Sequence, residues 1–266
     1  DGTPWFSIVN FNSPHPPMDI TRRMEMQYRG PDRVIENFPQ PHNYTGPFTP
    51  DHHMRIRQNY AAMIENIDRW VGLYQDRLED RGELDNTIVI YASDHGEMLG
   101  DHGIYFKGPH FYDCAVRVPL VVRWPRGGIQ SNLRASGLVE LVDLAPTMLE
   151  AAGLDVPSRM QGRSLLPVLR GQSDPSCIRE RVYSEYYNSW THKDAYGTML
   201  RTETEKIVVY HGTDQGELYD LAADPDEFHN LWNVAEEESR KLRLMKACFD
   251  ASVLSMDPDP PRRGPF

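Results

Sequence analysis

The run Thr87-Ile-Val-Ile-Tyr-Ala-Ser-Asp-His-Gly-Glu-Met-Leu-Gly-Asp-His-Gly-Ile-Tyr-Phe-Lys107 constrains this chain more than any other stretch. Its first residues, Ile88, Val89 and Ile90, are β-branched and apolar, as a buried strand requires. The strand passes directly into a loop of acid, imidazole, glycine and one lysine. Strands of an α/β sheet deliver ligands at their carboxyl ends, so Asp94 and His95 are expected at the mouth of a cleft. An adjacent carboxylate and imidazole offer a divalent cation two ligands, too few to close a site. Lys107 adds a fixed positive charge a short loop away, and the combination suits an anionic ester held against a metal. The plainer alternative is that Asp94 and His95 cap a turn before Gly96, since Asp and Gly are ordinary turn residues.

Around this run the periodicities alternate as an α/β fold demands. Trp5 to Phe11 predicts a core strand, followed by Asn12-Ser13-Pro14-His15-Pro16-Pro17-Met18, a proline-stiffened loop with a single imidazole. Residues 19–53 show no sustained period, and His52 and His53 read as exposed. Met54 to Arg81 predicts a long helix, with Ala61, Ile64, Ile67, Val71, Tyr74 and Leu78 on one face and Gly82 as its stop. Pro119 to Trp124 predicts a second buried strand, Val139 to Ala152 a helix, and Leu165 to Leu169 a short helical stretch. The pattern then changes. Arg181–Tyr187, Gly197–Thr202, Lys206–His211 and Glu217–Leu221 are short alternating segments set apart by turns, which predicts an antiparallel sheet. Glu227 to Leu254 carries a helical pattern, and Asp257 to Phe266 is a Pro-rich tail.

Composition narrows the function. A formal charge of −11 argues against a general nucleic-acid binder, because phosphate contacts need a basic face. It leaves an anionic substrate open, since a cation, a lysine and a histidine make one cleft positive on an acidic surface. No apolar run approaches the ~20 residues that span a bilayer. Cys114, Cys177 and Cys248 are odd in number and widely separated, with neither zinc spacing nor a disulfide framework. The chain opens on Asp1 and enters its first predicted strand within four residues. An amino-terminal portion is therefore expected to be missing.

Ser93-Asp94-His95-Gly96 at a strand end, Gly100-Asp101-His102-Gly103 before Lys107, and the continuation from Tyr112 to Leu120 together resemble the sulfatase family of the alkaline-phosphatase-like superfamily. Glu217-Leu-Tyr-Asp-Leu221, Asp224-Pro-Asp-Glu227 and Asn230-Leu231 extend the resemblance through the second half. It implies part of an alkaline-phosphatase-like α/β sandwich with a small carboxyl-terminal antiparallel subdomain. Residues 1–155 would be the later part of the catalytic α/β domain, and residues 156–266 the subdomain with its short sheet and helix. The implied activity is sulfuric ester hydrolysis. Asp94 and His95 would hold one divalent cation, Ca²⁺, while His15 and Lys107 contact the substrate sulfate, Lys107 also reaching the leaving-group oxygen. His102 would orient the loop rather than ligate. Phe111 and Tyr112 would be core, and Asp224 to Glu227 a turn and helix cap with Pro225 at a first helical position, outside the site.

One part of the family pattern is absent. Sulfatases use a formylglycine made from the first residue of Cys/Ser-x-Pro/Ala-x-Arg, and no cysteine or serine here stands in that motif. The family's early Asp-Asp metal ligands are missing too. The expectation is a sulfatase fragment, with the formylglycine in a missing amino-terminal segment or a companion chain, and no turnover by this chain alone. Its substrate would be a sulfated small molecule or glycan. Two alternatives stay open: a phosphonate monoester or phosphodiester hydrolase of the same superfamily, and a non-catalytic sulfatase-like binding module. Retention of Asp94, His95, Lys107 and His15 together speaks against the module.

Overall fold

The structure, a computed structural model, describes residues 3–28, 46–188 and 193–255. The Pro-rich tail lies outside the described residues. The chain divides into two compact units, residues 1–87 with 97–106, and residues 88–96 with 107–266.

The first unit is built on a 31-residue helix. A short helix α1 (Arg22–Tyr28) packs against α2 (Pro50–Asp80). The sequence places the start of α2 at Met54, but it begins a turn earlier because Thr49 caps it. The Thr49 hydroxyl accepts from the His52 amide, and His52 Nδ1 accepts from the Thr49 amide at 3.2 Å. The imidazole thus takes the place that Glu or Gln fills in an ordinary capping box. His53, expected to be exposed, is buried: its ring stacks on Tyr105 and bonds the phenol, with Phe48 edge-on to both. At the far end Gly82 takes a left-handed φ of +68°, and its amide returns to the Glu79 carbonyl at 2.8 Å. Ala62, Met63 and Ile67 are buried while Ile64 and Tyr74 are exposed, so the covered stripe is rotated from the one the sequence suggests. Arg57 ties α2 to the loop beyond Gly96, donating to Asp101 Oδ1 at 2.7 Å and to the Leu99 carbonyl at 3.3 Å. Trp5 to Phe11 is not a strand. A strand exists through its ladder, and among the described residues this stretch takes no ladder partner, leaving Trp5, Phe6 and Ile8 exposed.

The second unit holds two sheets. β1 (Val89–Ala92) pairs antiparallel with β2 (Leu120–Arg123), in register from Val89 opposite Arg123 to Ala92 opposite Leu120. Between them the chain runs through a one-turn helix α3 (Asp113–Val116). Beyond β2 come α4 (Leu144–Ala151) and α5 (Leu166–Leu169), joined at a buried ion cluster. There Arg179 pairs with Glu140 and with the fully buried Asp143, whose Oδ1 also accepts the Arg163 amide at 2.7 Å.

The four segments predicted as an antiparallel sheet form one in sequence order: β3 (Val182–Tyr187), β4 (Tyr196–Arg201), β5 (Glu205–Tyr210) and β6 (Gly216–Asp220). Strand alternation sends two different rows to its two faces. The row Tyr183, Leu200, Ile207, Leu218 is in register across all four strands and packs with Leu244 and Cys248 of α6 (Glu238–Leu254). On the opposite face Met199 and Val208 meet Phe111, and Arg201, Lys206 and Tyr219 lie side by side.

The helix predicted from Glu227 begins only at Glu238, and Pro225 caps no helix. The intervening residues close onto β6 instead. Asn230 Oδ1 accepts from the amides of Leu218 (3.1 Å) and Trp232 (2.9 Å), and the Leu231 amide donates to the Leu218 carbonyl at 2.8 Å. Bonds that satisfy a sheet edge in this way cannot also propagate a helix. Among the described residues no helix is long and apolar enough to cross a membrane.

Leu218 is fully buried between β5 and α6. Leu218→Ala should lower the unfolding free energy of the protein by about 2–5 kcal/mol in chemical denaturation. Leu242→Ala, on the exposed side of α6, should stay within about 0.5 kcal/mol of the parent.

Candidate functional site

The turn after β1 is built from its own side chains. The Ser93 hydroxyl donates to the His95 carbonyl at 2.8 Å, and the His95 amide donates to Asp94 Oδ1 at 3.0 Å. The next amide, Gly96, reaches across to the Ala115 carbonyl in α3 at 2.7 Å. A side chain at Gly96 would overlap the Cys114 carbonyl oxygen, so glycine alone lets the turn close against α3. Asp94 and His95 therefore do form a turn. The same turn presents their side chains outward, with Asp94 at 86% side-chain exposure.

The pair suits a cation. His95 Nδ1 donates to the Gly96 carbonyl at 2.8 Å, and this tautomer carries its ligating lone pair on Nε2. Nε2 lies 3.7 Å from Asp94 Oδ2, a span that one ion with bonds of about 2.3–2.6 Å can bridge. Among the described residues no group of three or more His, Cys, Asp or Glu side chains is assembled for a metal, so this turn could offer a cation two side chains.

Lys107 is half-buried and belongs to the same unit as Asp94 and His95. It stands four residues before Phe111, which is buried against Met199 and Val208. His110 stacks on Tyr112 with ring centroids 6.3 Å apart. Burial beside Glu217 pushes the Tyr112 phenol up to about 12. His15 belongs to the other unit. It is exposed in the turn that follows Asn12, with its amide donating to the Asn12 carbonyl at 3.0 Å and Nδ1 to the Pro16 carbonyl at 2.7 Å. His102 is also in that unit, at a left-handed φ of +54° beside the Asp101 that Arg57 holds.

A cluster the sequence reading passed over lies under Lys107's segment. The Lys206 ammonium, fully buried, donates to the Phe111 carbonyl at 2.9 Å and to Asp113 Oδ1 at 2.6 Å, and pairs with Glu227. Glu227 Oε2 accepts the Asp113 amide at 2.7 Å. Burial raises the Asp113 carboxyl, but Lys206 and Arg201 outweigh it and hold it below the usual carboxylate range. At Glu227 burial prevails over the pull of Lys206, and its carboxyl is raised. The signal was present. Lys206 shares one face of its strand with Val208 in the run Lys206-Ile-Val-Val209, and a charge in such a row requires a partner.

Known proteins resemble this chain over most of its length. A family model described as sulfatase matches residues 1–154, and one described as N-sulphoglucosamine sulphohydrolase, C-terminal, matches residues 100–251. N-acetylglucosamine-6-O-sulfatase of Bacteroides thetaiotaomicron is 36% identical over 213 residues, covering 78% of this chain and 38% of its own length. Arylsulfatase K of Bos taurus is 36% identical over 198 residues, covering 71% of this chain and 35% of its own. The chain thus spans well under half the length of these curated relatives. A solved structure described as a complex with the substrate D-glucosamine-2-N,6-O-disulfate superposes with a TM-score of 0.70 at 32% identity, over 81% of this chain and 44% of that one. The phosphonate monoester hydrolase from Silicibacter pomeroyi gives 0.71 at 27% identity, over 79% and 43%.

Gly96→Ala should force the turn off α3. Overpacking of this kind costs about 1–3 kcal/mol, and chemical denaturation of the purified variant should show a loss of that size.

Proposed function

This chain belongs to the sulfatase family, and on that premise we propose that the whole protein is a sulfuric ester hydrolase acting on a sulfated glycan, with sulfated glucosamine the first substrate to test. Its fold is that of the alkaline-phosphatase-like superfamily. The observation that carries the proposal is the Asp94–His95 turn, whose Oδ2 and Nε2 stand 3.7 Å apart in the unit that also carries Lys107. The sulfated amino sugars named for one relative and one solved structure support the choice of substrate.

In this reading Asp94 and His95 hold one divalent cation, proposed as Ca²⁺ because a carboxylate on an exposed loop suits a hard ion with flexible coordination. When bound, that ion supplies Lewis-acid polarisation of the sulfate oxygens. Lys107 holds a sulfate oxygen and neutralises charge on the leaving-group oxygen as the S–O bond breaks. His15 holds a hydrogen bond to the substrate and with Lys107 fixes the ester in one orientation. The remaining ligands and the formylglycine nucleophile are assigned to residues outside these 266, because no Cys/Ser-x-Pro/Ala-x-Arg occurs among them. The chain alone is accordingly proposed to be inactive.

Likeness to phosphonate monoester hydrolases favours one second reading, hydrolysis of a phosphonate or phosphate diester. Steady-state rates of the full-length protein on paired sulfate and phosphonate monoesters separate the two. A higher kcat/KM on the phosphonate ester would replace the leading assignment, and no turnover of either would leave a binding module.

Lys107→Ala in the full-length protein should cut kcat/KM for a sulfate ester by roughly 100- to 1,000-fold, the scale of losing one electrostatic clamp. The melting temperature should move little, since a lysine in a polar loop adds little to the core. His15→Ala should act in the same direction, and the double variant should lose less than the product of the two. Titration calorimetry with Ca²⁺ should show Asp94→Ala binding at least about tenfold more weakly than the parent. Equal affinities would remove Asp94 from the ligand set.

A further inference from the structure

We propose that Glu227 and Lys206 are positioning residues of the sulfate site, acting through Asp113 to place both Lys107 and the Asp94–His95 turn. The inference rests on the roles given above to those three residues.

The clamp grips one short stretch of chain from several sides. Lys206, the second residue of β5, donates to the Phe111 carbonyl and the Asp113 carboxylate. Glu227 takes the Asp113 amide and pairs with the same ammonium. Arg201, opposite Lys206 on the neighbouring β4, donates from Nη2 to Asp113 Oδ2 at 3.4 Å. Main chain and side chain of Asp113 are therefore both held, from β4, β5 and the loop after β6.

Two paths lead from this clamp to the proposed site. Backwards along the chain, the held Phe111 carbonyl is four residues from Lys107. Forwards, Asp113 opens α3, and the third residue of that helix, Ala115, offers the carbonyl on which Gly96 rests at 2.7 Å. Gly96 directly follows His95. The one-turn helix is thus a joint, and a displacement of Asp113 shifts the lysine and the cation ligands together.

Stability alone is a poor reason for this arrangement. Buried ion clusters cost desolvation that well-packed apolar residues of the same volume avoid. Glu227 also sits at a left-handed φ of +59°, a conformation unfavourable for a non-glycine residue. Asp224 holds that turn by accepting the amides of Phe228 at 3.1 Å and His229 at 2.7 Å. The turn that the Asp224-Pro-Asp-Glu227 segment forms aims its last carboxylate inward at Asp113.

The test uses the full-length protein and a double-mutant cycle. Glu227→Gln should lower kcat for a sulfate ester by roughly 10- to 100-fold per folded molecule, the scale of an ångström-sized misplacement, with KM within about threefold. Asp226→Asn, the exposed neighbour, should match the parent. In the background of Lys107→Ala the Glu227→Gln change should cost at least about threefold less than it does in the parent, because one of the two groups it positions is gone. Hydrogen exchange should quicken in peptides covering 93–100 and 107–116 and stay unchanged in α6.

The outcomes separate the two readings. Full turnover by Lys107→Ala would sink the site assignment and this inference with it. A slow Lys107→Ala beside a Glu227→Gln that keeps its kcat, or that multiplies independently with it, would overturn the positioning role alone. If Glu227→Gln does not fold, Asp113→Asn is measured in the same cycle. Failure of both to fold would assign the cluster to folding and overturn the proposal.

Discussion

An ammonium with no access to water must be neutralised where it stands, and Lys206 makes that demand on an inner strand of the four-stranded sheet. The demand is met by Asp113 and Glu227, which come from opposite sides of the sheet in sequence, 93 and 21 positions away from it. Meeting it draws the stretch after Lys107 onto one face of the sheet and holds α3 there. The Asp94–His95 turn then closes on α3 through the Gly96 amide. A small antiparallel sheet far along the chain is in this way the floor on which the proposed chemistry of the second unit rests.

The sheet can serve that role because its faces are chemically unlike. The row Tyr183, Leu200, Ile207, Leu218 is hydrophobic and packs with Leu244 and Cys248 of α6 and with Trp232. The facing rows mix Met199 and Val208 with Arg201, Lys206, Glu217 and Tyr219. Glu217 has its carboxyl raised by burial, an effect that the hydrogen bond from Tyr210 only partly offsets. Packing thus makes one face a core and hydrogen bonding makes the other a binding surface for a loop.

Similar economy appears elsewhere in each unit. Arg179 gathers Glu140 and Asp143 at the approach to the sheet, and Glu140 in turn accepts the Tyr183 amide of β3 at 2.7 Å. Arg57 does the same in the first unit, anchoring the Leu99–Asp101 segment to α2. Loops rich in Gly, Asp and His have little apolar area to bury, so they are held by a few charge-assisted bonds from regular elements.

The sequence by itself determined what depends on near neighbours. The alternation of β3 to β6, the periodicity of α2 and the Ser93 to Gly96 turn are local patterns, and each is found within a few residues of where the chain announces it. The turn that presents Asp94 and His95 was legible for the same reason, since it is closed by their own backbone and side chains, and the cation proposed for them starts from that turn. What only the tertiary structure decided are matters of distant partners. Trp5 to Phe11 carries strand residues but no ladder, the helix expected from Glu227 yields to bonds with β6, and His53 is buried because Tyr105, 52 positions away, stacks on it. Glu227 reads as the end of a turn until Asp113, 114 positions earlier, is placed against it. A buried charge requires a partner, and local sequence states that requirement without naming which distant residue will meet it.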